Sequence, residues 1–356
     1  MKVGLWQPAE YAAEGLPTGW PAPGARWEPE RGAESVRRAF ELYDLAVENG
    51  FDMLSVAEHH GGYGSLVPSP TLMAAVLAQR YPDVTIGILG PILPLASPLR
   101  VAEEVAMVDV LSGGRTVVGF FRGVPTEYLL YGTPPAETGD MFREAFALVL
   151  RCWTEPEVFG WEGRHYRFRT VSTWPRPLQQ PHPPIVSGVT NPAAAAWAGA
   201  NGHRLGIFGA VVPPDRAAQC VDAYRAAGGG TGDDDILYRV RVYVADTDEE
   251  AEADAAEYEL GNMRLLAAPE PERAAAAGKV LAALFGGGGA GHGGPPPRPE
   301  FCGAPETVIR QLRESRDAVG WGSLDVVATF PRLPYDKARR SLERFATEVL
   351  PALRGG

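Results

Sequence analysis

The chain has 356 residues, of which 45% are hydrophobic, and this is enough to bury a sizeable core. Its net charge of −11 and pI near 5.2 argue against a nucleic-acid or anionic-membrane partner, because such binding depends on clustered Lys and Arg. No stretch is long and apolar enough for a signal peptide or a membrane span, and the three cysteines are too dispersed for a zinc site. We therefore expect a cytoplasmic protein that acts on a small molecule and holds no metal.

Short β-branched runs alternate with helical patterns along the chain, which is typical of βα units around a parallel sheet. Strands are predicted at Val3–Trp6, Met53–Ala57, Val84–Gly90, Thr116–Phe120, Pro184–Ser187, Arg204–Ile207, Leu237–Val244 and Ser323–Thr329. Helical patterns between them include Ser35–Asn49, Pro98–Leu111, Asp140–Trp153, Asp215–Ala226 and Tyr335–Leu350. Eight such units predict an α/β fold, a single closed (β/α)₈ barrel over residues 1–356, with its active site at the strand C-termini. An open doubly wound sheet is the competing fold, but no GxGxxG follows the first strand.

Three insertions interrupt this pattern, at residues 7–32, 154–183 and 267–300. Successive prolines in the second insertion predict an extended, ordered connection. The third contains the run FGGGGAGHGGPPPRP, which is typical of either a mobile lid or a flexible surface excursion. Because this segment precedes the last strand, the lid interpretation places it on the catalytic side of the barrel.

The second strand ends in a pair of histidines, His59 and His60. Side chains alternate along a strand, so Leu54 and Val56 on the helix side place His59 on the side of the barrel mouth. Histidine suits proton transfer near neutral pH, which makes His59 a candidate catalytic residue. His60 then lies outside the pocket or caps a neighbouring element. The alternative for His59 is that it only satisfies buried hydrogen bonds.

The third strand carries glycine and proline in VTIGILGPILP. Bare backbone at Leu89 and Gly90 would let a flat ring lie against the strand, although a β-bulge explains the glycine equally well.

Two arginines follow the fourth strand. Arg122 lies just past the strand end in an apolar neighbourhood, and there it needs an anion, either a carboxylate such as Glu58 or a phosphate. Arg143, in the first turn of the next predicted helix, can reach the same mouth, and an ordinary salt bridge is the alternative for each arginine.

The segment SGVTNP after the fifth strand predicts the start of a helix. Asn191 is a preferred N-cap and Pro192 a preferred first helical residue. Exposed amides at this helix end, with Gly188 and the Thr190 hydroxyl nearby, form a candidate phosphate site.

Several motifs occur in an order that resembles one family. They are GFDMLSVAEHH, PSPTLMAAVLAQR, IGILGPILPLASPLRVAEEVAMVDVLSGGRTVVGFFRG, GWEGRHYRF, RPLQQPHPPI and WAGANG. Together they resemble the bacterial luciferase-like flavin-dependent monooxygenases. The resemblance spans nearly the whole chain except residues 7–32 and the glycine-rich insertion.

The resemblance implies an FMN site at the strand C-termini. His59 matches the family histidine implicated in acid/base handling of the reduced-flavin reaction, and Leu89-Gly90 matches a non-proline cis peptide under the isoalloxazine. Arg122 and Arg143 match arginines that contact the FMN phosphate. The remaining phosphate contacts map to Gly188, Val189, Thr190 and Asn191. Phe121 stands where luciferase proper has a cysteine beside the flavin ring, which argues against light emission from long aldehydes.

The resemblance also implies a reaction. Reduced FMN, supplied by a separate flavin reductase, reacts with O₂ through a flavin hydroperoxide that oxygenates a small organic substrate. Members of the family are usually homodimers. The alternatives are a deazaflavin-dependent dehydrogenase and a flavin-binding barrel without turnover. Aromatic residues of the inserted loops suggest a bulky apolar or aromatic substrate: Trp20, Trp27, Tyr63, Tyr128, Trp161 and Trp174.

Overall fold

A computed structural model describes residues 1–11, 21–258, 299–330 and 333–355 of the chain. The predicted lid at residues 267–300 therefore lies outside the described residues except for its last two positions, and so does Trp20.

Eight parallel strands form a nearly closed barrel. The strands of the described chain are β1 Lys2–Trp6, β2 Met53–Val56, β3 Thr85–Ile92, β4 Thr116–Phe121, β5 Phe159–Glu162, β6 Arg167–Val171, β7 Val186–Val189, β8 Arg204–Phe208, β9 Ile236–Val244, β10 Phe301–Gly303 and β11 Ser323–Val327. Neighbours in the barrel follow the order β4-β3-β2-β1-β11-β9-β8-β7. The Val118 amide donates to the Pro184 carbonyl at 3.0 Å and brings β7 beside β4, which closes the ring. The predicted (β/α)₈ barrel is confirmed, and each of its eight strands overlaps a predicted one.

Helices surround the barrel. They are α1 Pro29–Glu48, α2 Pro70–Arg80, α3 Pro98–Leu111, α4 Pro125–Tyr131, α5 Thr138–Thr154, α6 Pro192–Ala200, α7 Pro214–Ala226, α8 Asp248–Tyr258, α9 Pro305–Val319, α10 Tyr335–Arg344 and α11 Leu350–Arg354. In the described ranges, none of them has the length and apolar character needed to cross a membrane.

The second insertion is more ordered than the sequence predicts. Its first part is the antiparallel hairpin β5–β6 rather than only an extended connection. Glu144 of α5 fixes the turn of this hairpin. Its carboxylate accepts hydrogen bonds from the indole N–H of Trp161 at 3.1 Å and from the backbone amide of His165 at 2.9 Å. Burial alone would raise the pKa of Glu144, but these hydrogen bonds outweigh it and hold the pKa below its usual range.

Alternate residues of each strand face opposite sides of the barrel wall. Leu5, Leu54 and Val326 belong to the large core between strands and helices. Residues of the other parity fill the barrel interior in layers. An apolar floor is formed by Leu89, Val117, Val186 and Leu237.

Candidate active site

The chain leaves β2 at the barrel mouth, where His59 meets a buried carboxylate. His59 Nδ1 lies 3.2 Å from Oε1 of Glu127, a residue in the first turn of α4. The Glu127 side chain is only 3% exposed, and its second oxygen accepts the Val124 amide at 3.0 Å. The His59 side chain is 46% exposed, so one face of the ring is open to the mouth. The prediction that strand parity turns His59 toward the mouth agrees with this placement.

The second histidine is held away from the opening. His60 Nε2 lies 2.8 Å from Glu58 Oε1, and its Nδ1 lies 3.1 Å from the Tyr131 hydroxyl. Glu58 also accepts the Ile92 amide at 3.0 Å. His60 and Glu58 therefore connect β2, β3 and α4 through side-chain hydrogen bonds.

The structure assigns Leu89 and Gly90 different surroundings. Leu89 is buried in the apolar floor, on the inward face of β3. At Gly90 a Cβ would lie 2.5 Å from the Ala57 Cα, so the glycine is required by the close approach of β2. The register of β3 against β4 also shifts after Leu89, which supports the β-bulge interpretation.

The expectation of a cis peptide at Leu89-Gly90 is wrong. Among the described residues the cis bonds are Trp174-Pro175 and Gln180-Pro181. The close approach of Ala57 is accommodated by the absence of a side chain at Gly90.

Both predicted arginines lie in the open at the mouth. Arg122 is exposed and forms no ion pair with any described residue, and Glu58, its suggested partner, is engaged with His60. The apolar neighbourhood expected for Arg122 is therefore wrong, because the side chain has left it for solvent. Arg143 lies in the second turn of α5 and pairs with Asp140. A Cβ on Gly139 would stand 3.8 Å from an Arg143 nitrogen and 4.0 Å from an Arg122 nitrogen, so the two guanidinium groups flank one point.

The β7–α6 turn lies beside Arg122, because β7 and β4 are neighbours. The Asn191 side chain accepts the Ala194 amide at 3.0 Å, which confirms the predicted N-cap of α6. Thr190 is exposed, whereas the Val189 side chain is buried toward the helices and leaves only its backbone available. We call Arg122, Arg143, Gly188, Thr190 and Asn191, the residues predicted to contact a phosphate, the phosphate cradle. Exposed positive charge and a helix N-terminus favour an anion there, whereas the space beside Gly188 is filled by the Phe121 ring.

Flat side chains line the mouth between the cradle and His59. The Phe121 ring lies over Gly188, where a Cβ would be 2.3 Å from it, and meets Phe208 at 5.4 Å between centroids. The Arg239 guanidinium stacks on Phe208 at 5.0 Å and on Trp6 at 5.1 Å. Trp6 meets the His59 ring edge-on at 6.2 Å. We call His59, Trp6, Arg239, Phe208 and Phe121 the planar belt.

A buried ion pair supports the planar belt from below. Arg239 lies 2.7 Å from Asp325, which is 0% exposed, and Ser55 donates to the same carboxylate at 2.9 Å. Sequence reasoning missed Glu127, Trp6, Phe208, Arg239 and Asp325. The alternation of arginine with apolar residues in LYRVRVYV was a signal that β9 turns polar side chains into the barrel.

The fold has counterparts among known proteins. The luciferase-like monooxygenase family model matches residues 1–320. The chain belongs to this family. It is 26% identical over 322 residues, covering 88% of both chains, to the oxygenase component of a flavin-dependent trigonelline monooxygenase from Acinetobacter baylyi. It also matches an uncharacterized protein of Sinorhizobium fredii with 33% identity, but there it spans about half (53%) of the relative's length.

Solved structures agree with this assignment. Monooxygenase RslO1 from Streptomyces bottropensis superposes with a TM-score of 0.76 and 26% identity, covering 99% of both chains. An F420-dependent secondary alcohol dehydrogenase shares the fold, with a TM-score of 0.70, 17% identity and the same 99% coverage of both chains. The predicted family and enzyme class, a flavin-dependent monooxygenase, are confirmed.

Proposed function

We propose that the protein is the oxygenase of a two-component system. It takes reduced FMN from a separate flavin reductase and uses O₂ to oxygenate a small organic substrate in the cytoplasm. The observation that carries this proposal is the arrangement of side chains at the barrel mouth. His59, held by the Glu127 carboxylate, lies at one end of the planar belt, and the phosphate cradle with its two arginines lies at the other end.

The phosphate cradle fits the FMN phosphate. Arg122 and Arg143 supply charge from one side, while the α6 amides and the Thr190 hydroxyl supply hydrogen bonds from the other. Phe121, which packs on the apolar floor that contains the buried Leu89, offers apolar surface to a ring that extends from the cradle into the mouth. When bound, reduced FMN supplies the electrons and the site at which O₂ is activated.

Glu127 prepares His59 for proton transfer. The buried carboxylate is best satisfied when His59 Nδ1 carries a proton and donates a hydrogen bond to Glu127 Oε1. The other ring nitrogen, Nε2, is then the one that accepts or releases a proton. His59 then holds or moves a proton at the reacting oxygen, and the surrounding belt keeps water away from that atom.

The likeness to an F420-dependent dehydrogenase favours a deazaflavin as the second candidate cofactor. Titration of the protein with FMN and with F420 separates the two. Our proposal predicts tighter binding of FMN, and tighter binding of F420 would contradict it.

The outer faces of α2 and α3 fit the family expectation of a homodimer. Exposed apolar side chains form one surface on these two adjacent helices: Leu72, Val76, Met107, Val110 and Leu111. An apolar surface of this kind is typical of a protein–protein contact. We propose that two copies of the chain associate through it.

The reaction with O₂ tests the enzyme proposal. Protein loaded with reduced FMN is mixed with O₂, and flavin reoxidation and H₂O₂ release are followed. We expect H₂O₂ release to lag behind that of free reduced FMN, because the mouth excludes water. We expect His59→Ala to lower the reoxidation rate by roughly 100-fold, because acid/base catalysis is lost.

The matched control is His182→Ala, on the connection that leads into the opposite end of β7, and it should leave both rates unchanged. A barrel without turnover predicts that His59→Ala changes neither rate. Release of H₂O₂ as fast as from free FMN would contradict the proposal.

A further inference from the structure

Three buried hydrogen-bond donors lie together on one side of the mouth without a partner. Seven buried side-chain nitrogen or oxygen atoms of the described residues lack a hydrogen bond, and three of them are Trp6 Nε1, Arg241 Nε and Thr329 Oγ1. Leaving a donor both dry and unpaired is costly, so such groups are rare unless an ordered water or a ligand satisfies them. We call these three residues the donor cluster.

Strand register places the donor cluster on three neighbouring strands. Trp6 of β1 pairs with Val327 of β11, and Val327 pairs with Arg241 of β9, so these residues share one level. Thr329 is two residues past Val327. Its neighbours Ala328 and Phe330 pack on the helix side, so by alternation Thr329 faces inward.

The donor cluster lies across the barrel from the phosphate cradle. The cradle is built at the ends of β4 and β7, which adjoin each other where the barrel closes. In the order β4-β3-β2-β1-β11-β9-β8-β7, the strands β1 and β11 are the farthest from that closure. The donors therefore belong to the part of the mouth that the phosphate does not occupy.

The cations on the same side are already neutralised. Arg239 is paired with Asp325 at 2.7 Å, and Arg241 is paired with Glu300 at 2.9 Å. An anionic group placed among the donors would meet the two carboxylates as well as the two guanidinium groups. It would also have to give up its hydration without gaining an unpaired cation.

Taking these observations together, we propose that the donor cluster recognises the oxygen-bearing edge of the substrate, a neutral and planar ring compound with a carbonyl or similar acceptor oxygen. This inference rests on the proposed function. The planar belt supplies stacking surface for the ring, and the indole, guanidinium and hydroxyl donors supply hydrogen bonds to its oxygen. The carbonyl edge of FMN has the same chemistry, and the experiment below distinguishes the two sources.

The experiment measures binding of chromone, a neutral planar ketone, to the protein saturated with oxidised FMN. Calorimetric titration is repeated with chromone-2-carboxylate, which adds a negative charge, and with decanal, which lacks the ring. We expect chromone to bind at least tenfold more tightly than either. Trp6→Phe keeps an aromatic side chain, although a smaller one, and removes the N–H, while Thr329→Val replaces the hydroxyl with a methyl group; each should weaken chromone binding about tenfold.

The matched control is Trp174→Phe, because Trp174 is 78% exposed on the connection that leads into β7. It should leave chromone affinity unchanged. FMN affinity, measured on the same variants, should change less than twofold. Loss of FMN affinity in Trp6→Phe and Thr329→Val without loss of chromone affinity would assign the donors to the flavin and overturn the proposal.

Absence of chromone binding to the wild-type protein would also overturn it, as would tighter binding of the carboxylate. Because no turnover is measured, either outcome is separate from failure of the O₂ experiment, which tests the enzyme proposal itself.

Discussion

The two sides of the barrel mouth treat charge in opposite ways. On the side of β4 and β7, Arg122 and Arg143 are exposed at the rim, Arg143 is paired among the described residues only with the half-exposed Asp140, and the nearest turn leads into a helix N-terminus. On the side of β1, β9 and β11, Arg239 and Arg241 are nearly buried, and each is matched by a carboxylate.

This difference separates binding of an anion from recognition of a neutral ring. An exposed arginine can exchange water for phosphate at little cost, whereas a buried arginine that already has its partner cannot accept a second anion. Its guanidinium plane is instead available for stacking, as Arg239 shows between Trp6 and Phe208. The mouth thus offers one end to a charged group and the other to an uncharged one.

Removing a buried carboxylate should have the largest effect on the molecule. Asp325→Ala leaves Arg239 buried and uncompensated, so we expect the free energy of unfolding to fall by about 3–5 kcal/mol. Urea denaturation measures it. The control is Asp246→Ala, which breaks the pair with Arg344 at a largely exposed carboxylate and should cost at most about 1 kcal/mol. Equal losses in the two variants would contradict the contrast between buried and exposed charge.

Removing an exposed cation should affect binding and leave stability intact. We expect Arg122→Ala to weaken FMN binding about 10- to 100-fold, because a charge-assisted hydrogen bond to the phosphate is lost. Fluorescence titration measures the affinity. Arg100→Ala, an exposed arginine of α3 paired with Glu104, serves as the control. If both substitutions weaken FMN equally, the effect is one of net charge and the phosphate cradle is misassigned.

The smallest effect should come from removing a neutralising carboxylate on the side of β1, β9 and β11. Glu300→Gln removes the charge that neutralises Arg241, so chromone-2-carboxylate should bind about three- to tenfold more tightly while chromone changes little. Calorimetry with both ligands provides the comparison. An unchanged carboxylate affinity would show that the pairing of Arg241 does not decide the charge preference.

Much of the scaffold is predictable from local patterns. The eight strands appear as β-branched runs because parallel strands are covered on both faces. The helix cap at Asn191 is predictable because it depends only on Asn191 and the proline that follows it. His59 is predictable because strand parity carries over into the residues that follow β2.

The partners of these residues are not predictable in the same way. Glu127 is 68 residues from His59, and Asp325 is 86 residues from Arg239, so each pair exists only once the barrel has closed. Two of the aromatic residues that suggested a bulky substrate have structural contacts instead. Tyr128 is buried with its hydroxyl donating to the Arg122 carbonyl, and Trp161 anchors the hairpin to Glu144, so their aromatic character serves packing.

The division of the mouth is tested most directly by titrating two variants with two ligands. FMN and chromone affinities are measured for Arg122→Ala and for Trp6→Phe, with chromone added at saturating FMN. We expect Arg122→Ala to lower only FMN affinity and Trp6→Phe to lower only chromone affinity. Equal losses of both ligands in either variant would contradict the division.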